Sequence, residues 1–600
     1  MADDNRDKWH RLPKIKLKLN NKNLTKNMRK IEGVTVRHAH KFIIKRWSNI
    51  LEVQRYVIAW ILIMGLLIAS TGLQLMWSQQ GYKTTAPVDN GTYAEAVLGP
   101  INTLNPLFAA TSAEQSAGYL MFSRILNYDT TGHLNYDLAT NVTLNDAKNI
   151  YTVTIRPDAK WHDGVKLTAA DIVFTVNLMR NSNTRTVISG WSNISVREVN
   201  SNTVEFSLQS TYAAFEHALT FPIMPEHILG SVAPANVREN NFSQNPIGSG
   251  PFKFSFTQDV DVASGRKVIY MARNDSYYGG MAKLARFQLH VYGTTDDIIS
   301  ALSLNEVNAA SDLSPADLGR VNNKRYSISV NPVQNGVYAI INTKSGLLQD
   351  VSLRRALQTG TNTETIRDRL PAGTPALDLP FTNDQLSGDV PHAPQYSLVN
   401  AKKVLDDNGW ALNSKGVREK GGKELTISVV TIKSSELESV LEVLAGQWRS
   451  MGIKVNTQVV DPTDVSQSVV QNILQPRNFD ILLYRLSIGA DPDVYAYWHS
   501  SQISLQGLNF SNYSNVISDD ALSSARARVE PALRNAKYIT FARQWLSDVP
   551  AIGLYQSTTQ YVSSINVRSF DKANKLVSEV DRYSDILNWS VGSKSVYKTP

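Results

Sequence analysis

The most distinct pattern along this chain is a run of apolar residues near its N-terminus. Residues 56–76, YVIAWILIMGLLIASTGLQLM, contain no charged side chain, and Gln74 is their only strongly polar residue. A helix of this length spans the hydrocarbon core of a bilayer. Tyr56 and Trp77 border the run, as aromatic residues do at membrane interfaces. The pattern therefore predicts a transmembrane anchor over residues 56–77.

Two other structures share this pattern, a buried core helix and a cleaved signal peptide. A core helix rarely runs so far without charge, and a signal peptide has a shorter apolar region and a shorter basic leader. We therefore expect an uncleaved anchor that contacts membrane lipid.

Charge is distributed unevenly around the anchor. Residues 1–55 hold 15 Lys and Arg against 5 Asp and Glu, whereas the 600-residue chain has a net charge of only +8. The positive-inside rule then places residues 1–55 in the cytoplasm and the large remainder outside the cell membrane. The tail is compatible with a basic helix on the inner membrane surface, or with binding of nucleic acid or a cytosolic partner. The rest of the chain is close to neutral and lacks the overall positive charge that is typical of nucleic-acid-binding proteins.

Beyond a polar linker at residues 78–92, strand-like and helix-like patterns alternate. Residues 151–157 alternate as a strand does, and Thr168 opens a helix with Asp171 as its capping-box partner. Residues 425–432 form an apolar strand, Ser435 caps a helix with Glu438, and residues 453–460 form the next strand. This order predicts a right-handed βαβ unit with parallel strands. Residues 479–486 add a further buried strand, so the class is α/β.

Little in the sequence suggests catalysis. The chain has no cysteine, which excludes disulfides, thiolate metal sites and a cysteine nucleophile. His162-Asp163-Gly164 resembles an acid–base pair, but a tight turn before a helix is the simpler interpretation. His38 and His40 are the only closely spaced histidines, and they lie in the predicted tail. No nucleophile elbow or His-Glu-x-x-His helix is present, so we predict no enzyme, metal or cofactor.

The decapeptide NPIGSGPFKF, residues 245–254, lacks the lysine of a phosphate loop. It resembles instead the glycine-rich segment of the extracellular solute-binding proteins of family 5, the oligopeptide and dipeptide receptors of ABC importers. Further segments are similar to that family in the family's order: INTLNPLF, IRPDAKWHDGVKLTAADIVFTVNLM, ARNDSYYGGMAKL, VYAIINTKSGLLQDVSLRRALQTGTNTETI, AKKVLDDNGW and ADPDVYAYWHSS. The resemblance covers residues 93 to about 590.

The resemblance implies a bilobal periplasmic-binding-protein-like fold of class II with three subdomains. The solute-binding domain would span residues 93–600. By analogy, the first subdomain combines residues 93–135, 247–335 and 560–600, the second is residues 136–246, and the third is residues 336–559. Hinges are expected near Val333 to Val337 and near Tyr555 to Tyr561.

The resemblance also places the ligand in the cleft between the lobes. Two stretches are expected to line it: Thr111 to Gln115 before a helix, and Tyr484 to Asp491 at the end of a buried strand, where ligands collect in α/β sheets. Arg485 is the candidate partner of a ligand carboxylate, with a plain surface position as the alternative. Tyr484, Tyr495 and Trp498 are candidates for side-chain pockets, with a core position as the alternative. The predicted ligand-binding residues are Thr111, Ser112, Ala113, Glu114, Tyr484, Arg485, Leu486, Ser487, Ile488 and Asp491.

One departure from the family concerns the ligand's ammonium group. Family receptors often carry an aspartate three residues before the acid-Pro pair, and this position is Ile488 here. Burying an ammonium against Ile488 would cost several kcal/mol. The ligand therefore lacks a free amine there, or Asp491 or Glu114 supplies the charge, or the segments are aligned a few residues apart.

The function that the resemblance implies is the substrate-binding component of an ABC importer. Such a protein captures peptides or similar small solutes outside the membrane by closing two lobes. It then delivers them to permease and ATPase subunits. A membrane-anchored peptide-sensing receptor is the alternative, and a surface hydrolase is a further one.

Overall fold

The computed structural model describes residues 54–81, 83–87, 89–188, 190–311, 313–461, 468–570 and 575–597. The predicted basic tail lies outside the described residues except at its last two positions. The chain forms two compact units, one of residues 1–86 with 595–600 and one of residues 87–594.

The first unit contains the predicted apolar helix, which spans Gln54–Gly81. Its segment Gln54–Met76 has a mean hydropathy of 2.1, and none of it is buried. The described residues hold no other helix long and apolar enough to cross a membrane. A buried core helix is therefore the wrong interpretation of this run.

The predicted linker at residues 78–92 differs from the structure. The helix continues to Gly81, and strands Lys83–Pro87 and Gly91–Leu98 take up most of the remaining residues. Polar residues extend the helix because its hydrogen bonds run along the backbone and glutamine is a good helix former.

A ten-stranded mixed sheet forms the frame of the larger unit. From one edge to the other its strands are Lys454–Val460, Thr426–Ile432, Ile481–Ser487, Tyr326–Ile341, Ala551–Ser564, Ala309–Ala310, Gly91–Leu98, Leu284–Tyr292, Arg266–Arg273 and Phe252–Asp261. A separate antiparallel sheet consists of Ala139–Leu144, Ile150–Ile155, Thr203–Ser207 and Ser195–Asn200. The short pairs and triplet are Lys83–Pro87 with Ser593–Tyr597, Leu126–Tyr128 with Leu134–Tyr136, Val567–Arg568 with Ser590–Val591, and Ala411–Leu412, Arg418–Lys420 and Lys423–Glu424.

Two long antiparallel strands, Tyr326–Ile341 and Ala551–Ser564, run through the middle of this sheet. We call them the connecting strands. Their pairing shifts register between Pro332 and Gly336. The hydrophobic cores divide at the same place, because Val333 and Tyr561 belong to one core and Val337 and Tyr555 to another. We call residues 89–333 with 561–594 the first lobe, and residues 337–555 the second lobe.

The helices cover the sheets on both lobes. The α-helices of the larger unit are Ser112–Met121, Ala169–Arg180, Phe215–Ala218, Glu226–Leu229, Thr295–Leu304, Pro315–Leu318, Val351–Thr359, Thr363–Arg367, Leu398–Asp407, Ser435–Ser450, Tyr495–Trp498, Val516–Arg526 and Pro531–Asp548. Short 3-10 turns occupy Pro106–Phe108, Pro234–Asn236, Asn241–Ser243, Gly346–Gln349, Ser500–Gln502, Glu579–Tyr583 and Ile586–Asn588, and Val470–Leu474 is a π-helical turn.

Local predictions agree closely with these elements. Thr168 and Asp171 form the predicted capping box, and Ile172 and Val176 on the same helix are fully buried. The strands Thr426–Ile432 and Lys454–Val460 pair in parallel, which confirms the βαβ unit. The cap of its helix is Ser434 rather than Ser435, because the Glu438 amide bonds to the Ser434 carbonyl and starts the first turn one residue earlier.

The glycine-rich segment 245–254 is a site of close backbone approach. The amides of Ser249 and Gly250 donate to the Met121 carbonyl at 3.0 and 2.8 Å. A Cβ at Gly248 would collide with this carbonyl oxygen, so only glycine fits. His162 also contacts the segment, accepting from the Gly248 amide at 3.2 Å. His162-Asp163-Gly164 is thus part of a turn that holds this segment.

Candidate functional site

A cavity of about 530 Å³ lies between the two lobes, against the connecting strands. We call it the interlobe cavity. Residues of the first lobe, the second lobe and one connecting strand line it: Leu98, Thr295, Leu313, Ser314, Pro315, Asp317 and Glu579; Lys433, Ser434, Ser435, Glu436 and Arg485; and Thr558, Thr559 and Gln560.

An ion pair on the second lobe dominates the chemistry of this cavity. Arg485 Nη2 lies 3.1 and 3.2 Å from the two carboxylate oxygens of Glu436. The Tyr555 hydroxyl donates to the same carboxylate at 2.7 Å. Burial alone would lower the pKa of Arg485, but the carboxylates of Glu436 and Glu579 raise it above its ordinary value. Arg485 therefore stays charged while it faces acids on both lobes.

The local fold explains why these side chains meet. Glu436 lies in the first turn of the helix Ser435–Ser450, which follows the carboxyl end of the strand Thr426–Ile432. The neighbouring strand Ile481–Ser487 runs parallel and carries Arg485 near its own carboxyl end. Side chains at this edge of a parallel sheet face the crevice where α/β proteins bind ligands.

A second set of contacts joins the lobes at loops next to the four-stranded antiparallel sheet of the first lobe. Lys148 Nζ lies 2.9 Å from Glu530, and the Ala213 amide donates to the Arg526 carbonyl at 3.0 Å. The Arg526 guanidinium carbon also lies 4.7 Å from the ring centroid of Tyr212. The two lobes therefore contact each other directly here, in addition to lining the interlobe cavity together.

Asp491 lies at this second contact. Its carboxylate accepts two hydrogen bonds of 2.7 Å from Arg534, and His217 Nε2 lies 4.0 Å away on the first lobe. Burial lowers the pKa of His217; Asp491 opposes this shift and Arg534 adds to it. The Asp491 carboxylate therefore forms an ion pair with Arg534 within its own lobe.

The predicted stretch Thr111–Gln115 forms the start of a helix. Thr111 is the N-cap of the helix Ser112–Met121, and Glu114 completes the capping box. The Glu114 carboxylate, which is buried, accepts from four backbone amides, those of residues 102, 103, 110 and 111. Ala113 is fully buried, and Ser112 lies beside it outside the interlobe cavity. The side chains of Ala113 and Glu114 are enclosed by their own lobe, and the ligand roles of this stretch stay a prediction.

The predicted stretch Tyr484–Asp491 divides in the structure. Arg485 lines the interlobe cavity, whereas Leu486 and Ile488 are buried in the core of the second lobe. The Ile488 amide donates to the Gln334 carbonyl of a connecting strand at 3.0 Å, and the Ser487 carbonyl accepts from the Tyr497 hydroxyl. For Leu486 and Ile488 the side-chain role is therefore packing, because alternate residues of a strand point into the core.

The three aromatic candidates also have packing roles. Tyr484 packs edge-on against Phe510, with ring centroids 5.8 Å apart, and Trp498 is fully buried. Tyr495 stacks on His499 and lies beneath Arg526.

Sequence reasoning missed several residues at the lobe contacts. Glu436 could have been found, because it opens a helix directly after a parallel strand. Glu579 and His217 lie far along the chain from their partners Arg485 and Asp491, and no local pattern marks them.

Comparison with known proteins decides the family. Residues 133–504 match the sequence model of the bacterial extracellular solute-binding proteins, family 5. The chain belongs to this family. It is 26% identical over 501 residues to the oligopeptide-binding protein AppA of Bacillus subtilis (strain 168), covering 81% of this chain and 89% of AppA. It is 25% identical over 476 residues to protein XP55 of Streptomyces lividans, covering 77% of this chain and 83% of XP55.

Solved structures give the same result for the fold. The AppA structure from Bacillus subtilis in complex with a nonapeptide superposes with a TM-score of 0.70 at 25% identity, over 84% of this chain and all of that one. NikZ from Campylobacter jejuni, in complex with Ni(L-His), superposes with a TM-score of 0.69 at 23% identity, over 83% and 99% of the two chains. The predicted bilobal α/β binding-protein fold is therefore confirmed. The family and these neighbours are binding proteins, and the family's location is extracellular.

Proposed function

We propose that this chain is the membrane-anchored peptide-binding component of an ABC importer. The observation that carries the proposal is the interlobe cavity, where Glu579 of the first lobe faces the Arg485–Glu436 pair of the second lobe. A relative named oligopeptide-binding protein, and its structure with a nonapeptide, support a peptide as the ligand.

Capture follows from the geometry of the cavity. Thr558 to Gln560 of a connecting strand line the cavity, and an extended peptide can pair with a strand of this kind. Because main-chain pairing reads no side chains, selectivity is broad. A peptide that contacts both lobes favours the closed arrangement by its differential affinity for it. The closed form is then what permease subunits recognise.

The ligand binds without a clamp on its N-terminal ammonium group. The family position for that clamp is Ile488, which is buried in the core. Glu114 is saturated by backbone amides, and Asp491 is paired with Arg534. We expect a long, modified or internal peptide segment, whose amine lies elsewhere.

The helix Gln54–Gly81 serves as the anchor, with the basic N-terminal tail in the cytoplasm and the binding unit outside. The subdomain boundaries stay as proposed, with hinges near Val333 to Val337 and Tyr555 to Tyr561. The register shift between Pro332 and Gly336 supports hinges there.

Lobe closure is tested with spin labels, since the chain has no cysteine of its own. Val199→Cys and Leu533→Cys place labels on exposed positions of the first and second lobes. We expect the full-length chain in detergent to show a shorter label distance when a mixed-sequence nonapeptide pool is added. A control pair, Leu412→Cys with Leu533→Cys, lies within the second lobe and should not change. Unchanged distances for pools of two to ten residues would contradict peptide-driven closure.

The role of the interlobe cavity is tested with a matched pair of variants. Arg485→Gln should weaken binding of the nonapeptide pool about tenfold or more, as loss of a charged hydrogen-bond partner does. Arg543→Gln, which breaks an exposed pair with Asp389 away from the cavity, should bind as wild type does. Equal affinities for both variants would remove Arg485 from the site.

The missing ammonium clamp is tested by calorimetry with matched peptides that have free or acetylated N-termini. We expect a difference under about 1 kcal/mol, whereas truncating a buried charge pair costs about 2–5 kcal/mol. A strong loss on acetylation, abolished by Asp491→Asn, would show that Asp491 forms the clamp.

A further inference from the structure

A second cavity, of about 300 Å³, lies within the first lobe. We call it the inner cavity. Adjacent residues of the turn Glu579–Tyr583 line the two cavities, Glu579 the interlobe cavity and Val580 the inner one. Its lining is mostly apolar and includes Pro106, Val187, Ile188, Phe221, Pro222 and Val580, beside the polar residues Gln115 and Thr220.

Arg124 is the charged residue of this apolar wall. Its guanidinium carbon lies 4.2 Å from the ring centroid of Tyr119, so one face of the cation rests on the ring. Among the described residues, the N–H groups of this guanidinium donate no hydrogen bond and form no ion pair. A guanidinium held by its face presents its N–H edge, which is the geometry that binds a carboxylate with two hydrogen bonds.

Two acids near Arg124, Asp137 and Asp581, attract its charge, but their carboxylates accept no hydrogen bond from its guanidinium. Asp137 accepts from the backbone amide of Arg124 at 2.8 Å and from the Tyr278 hydroxyl. Asp581 accepts from Ser578 at the start of its own turn. Neither acid lines the inner cavity, so Arg124 gives the cavity a positive group on an apolar wall.

The inner cavity also lies beside the contact between the lobes. Ala218, which lines it, directly follows His217, and His217 Nε2 lies 4.0 Å from Asp491 of the second lobe. A group held in the inner cavity is therefore close to the surface that the lobes enclose together.

We infer that the inner cavity binds a carboxylate carried on an aliphatic stem, with Arg124 as its partner and the apolar wall around the stem. This inference rests on the proposed peptide-binding function. In a peptide the group comes from a glutamate side chain or from the C-terminal residue. The inner cavity thus adds a preference for peptides with a carboxylate at one place to the broad recognition of the peptide main chain.

The test compares defined peptides on the full-length chain in detergent, by calorimetry. The probes are nonapeptides of alternating alanine and serine with one Glu or one Gln at each position, each with a free or an amidated C-terminus. We expect one carboxylate, at one position or at the C-terminus, to improve affinity about tenfold or more, as hydrogen bonds to charged groups do. A Glu-over-Gln difference assigns the side chain, and a free-over-amidated difference assigns the terminus.

Variants then assign the effect to Arg124. Arg124→Gln should abolish the preference, and Arg124→Lys should keep part of it, because the charge remains but the paired hydrogen bonds do not. Arg156→Gln is the matched control and should keep the full preference. Its guanidinium also lies over a tyrosine ring, 4.5 Å from the centroid of Tyr278, and acts on Asp137, but it does not line the inner cavity.

The outcomes separate the inference from the function it rests on. Peptides that bind with equal affinity whatever their carboxylates, or a preference that survives in Arg124→Gln, overturn the inner-cavity site and leave peptide capture standing. Failure of every probe to bind contradicts peptide capture itself, and the inner-cavity site with it.

Discussion

Replacing Arg582 by methionine tests the buried polar cluster that holds the first lobe together. Arg582 donates to Glu95 at 3.1 and 2.8 Å, and also to the Ser116 hydroxyl at 2.8 Å. The hydroxyls of Tyr561 and Tyr583 donate to the same Glu95 carboxylate at 2.8 and 2.7 Å. Arg582 and Glu95 are almost fully buried. The cluster links an inner strand, a helix and a connecting strand, so methionine would leave a buried carboxylate without its cation.

The expected loss follows from these contacts. Removing one partner of a buried ion pair costs about 3–5 kcal/mol. Unfolding entropy is roughly 2.1 cal/mol/K per residue, or about 1 kcal/mol/K for the roughly 500 residues of the larger unit. Arg582→Met should therefore lower the Tm by about 3–5 °C.

The assay is the intrinsic-fluorescence melting of the full-length chain in detergent. The control is the double variant Glu95→Gln with Arg582→Met, which removes the buried charge yet keeps an acceptor for both tyrosine hydroxyls. The Tm decrease of the double variant should be at most half of the decrease that Arg582→Met causes. A loss under about 1 °C for Arg582→Met, or a double variant whose loss equals the sum of the single ones, would refute the reasoning.

Three further predictions concern the lobes and the glycine-rich segment. Gly248→Ala should lower the Tm by about 3 °C in the same melting assay, because its Cβ meets the Met121 carbonyl and costs about 3 kcal/mol of overpacking. Burial lowers the pKa of His162 to about 4, so stability is lost as pH falls from about 6.5 towards that value. Between pH 7 and pH 5, the Tm of His162→Gln should then fall by about 2 °C less than the Tm of the wild type does. Arg534→Gln should raise the pKa of His217, measured by NMR titration, because the cation that opposes imidazolium formation is removed.

Local patterns in the sequence determined the elements of this fold. An uninterrupted apolar run predicts a helix that needs no tertiary partner, and the structure has it as Gln54–Gly81. The capping box of Thr168 and Asp171 followed from residues one turn apart, and the parallel strands around Ser435–Ser450 followed from three consecutive segments of the chain. Together with the ordered family segments, these patterns were sufficient for the bilobal α/β fold.

The tertiary structure alone decided which polar side chains meet. Glu114 stands in a predicted binding stretch, yet four backbone amides saturate its carboxylate. Arg485 pairs with Glu436, which lies 49 residues earlier in the chain, and it faces Glu579 across the interlobe cavity. Arg124 faces the inner cavity because a tyrosine ring holds it there. A local pattern determines how a segment folds and which face is apolar, whereas the free hydrogen-bonding capacity of a charged group depends on neighbours that only chain folding brings together.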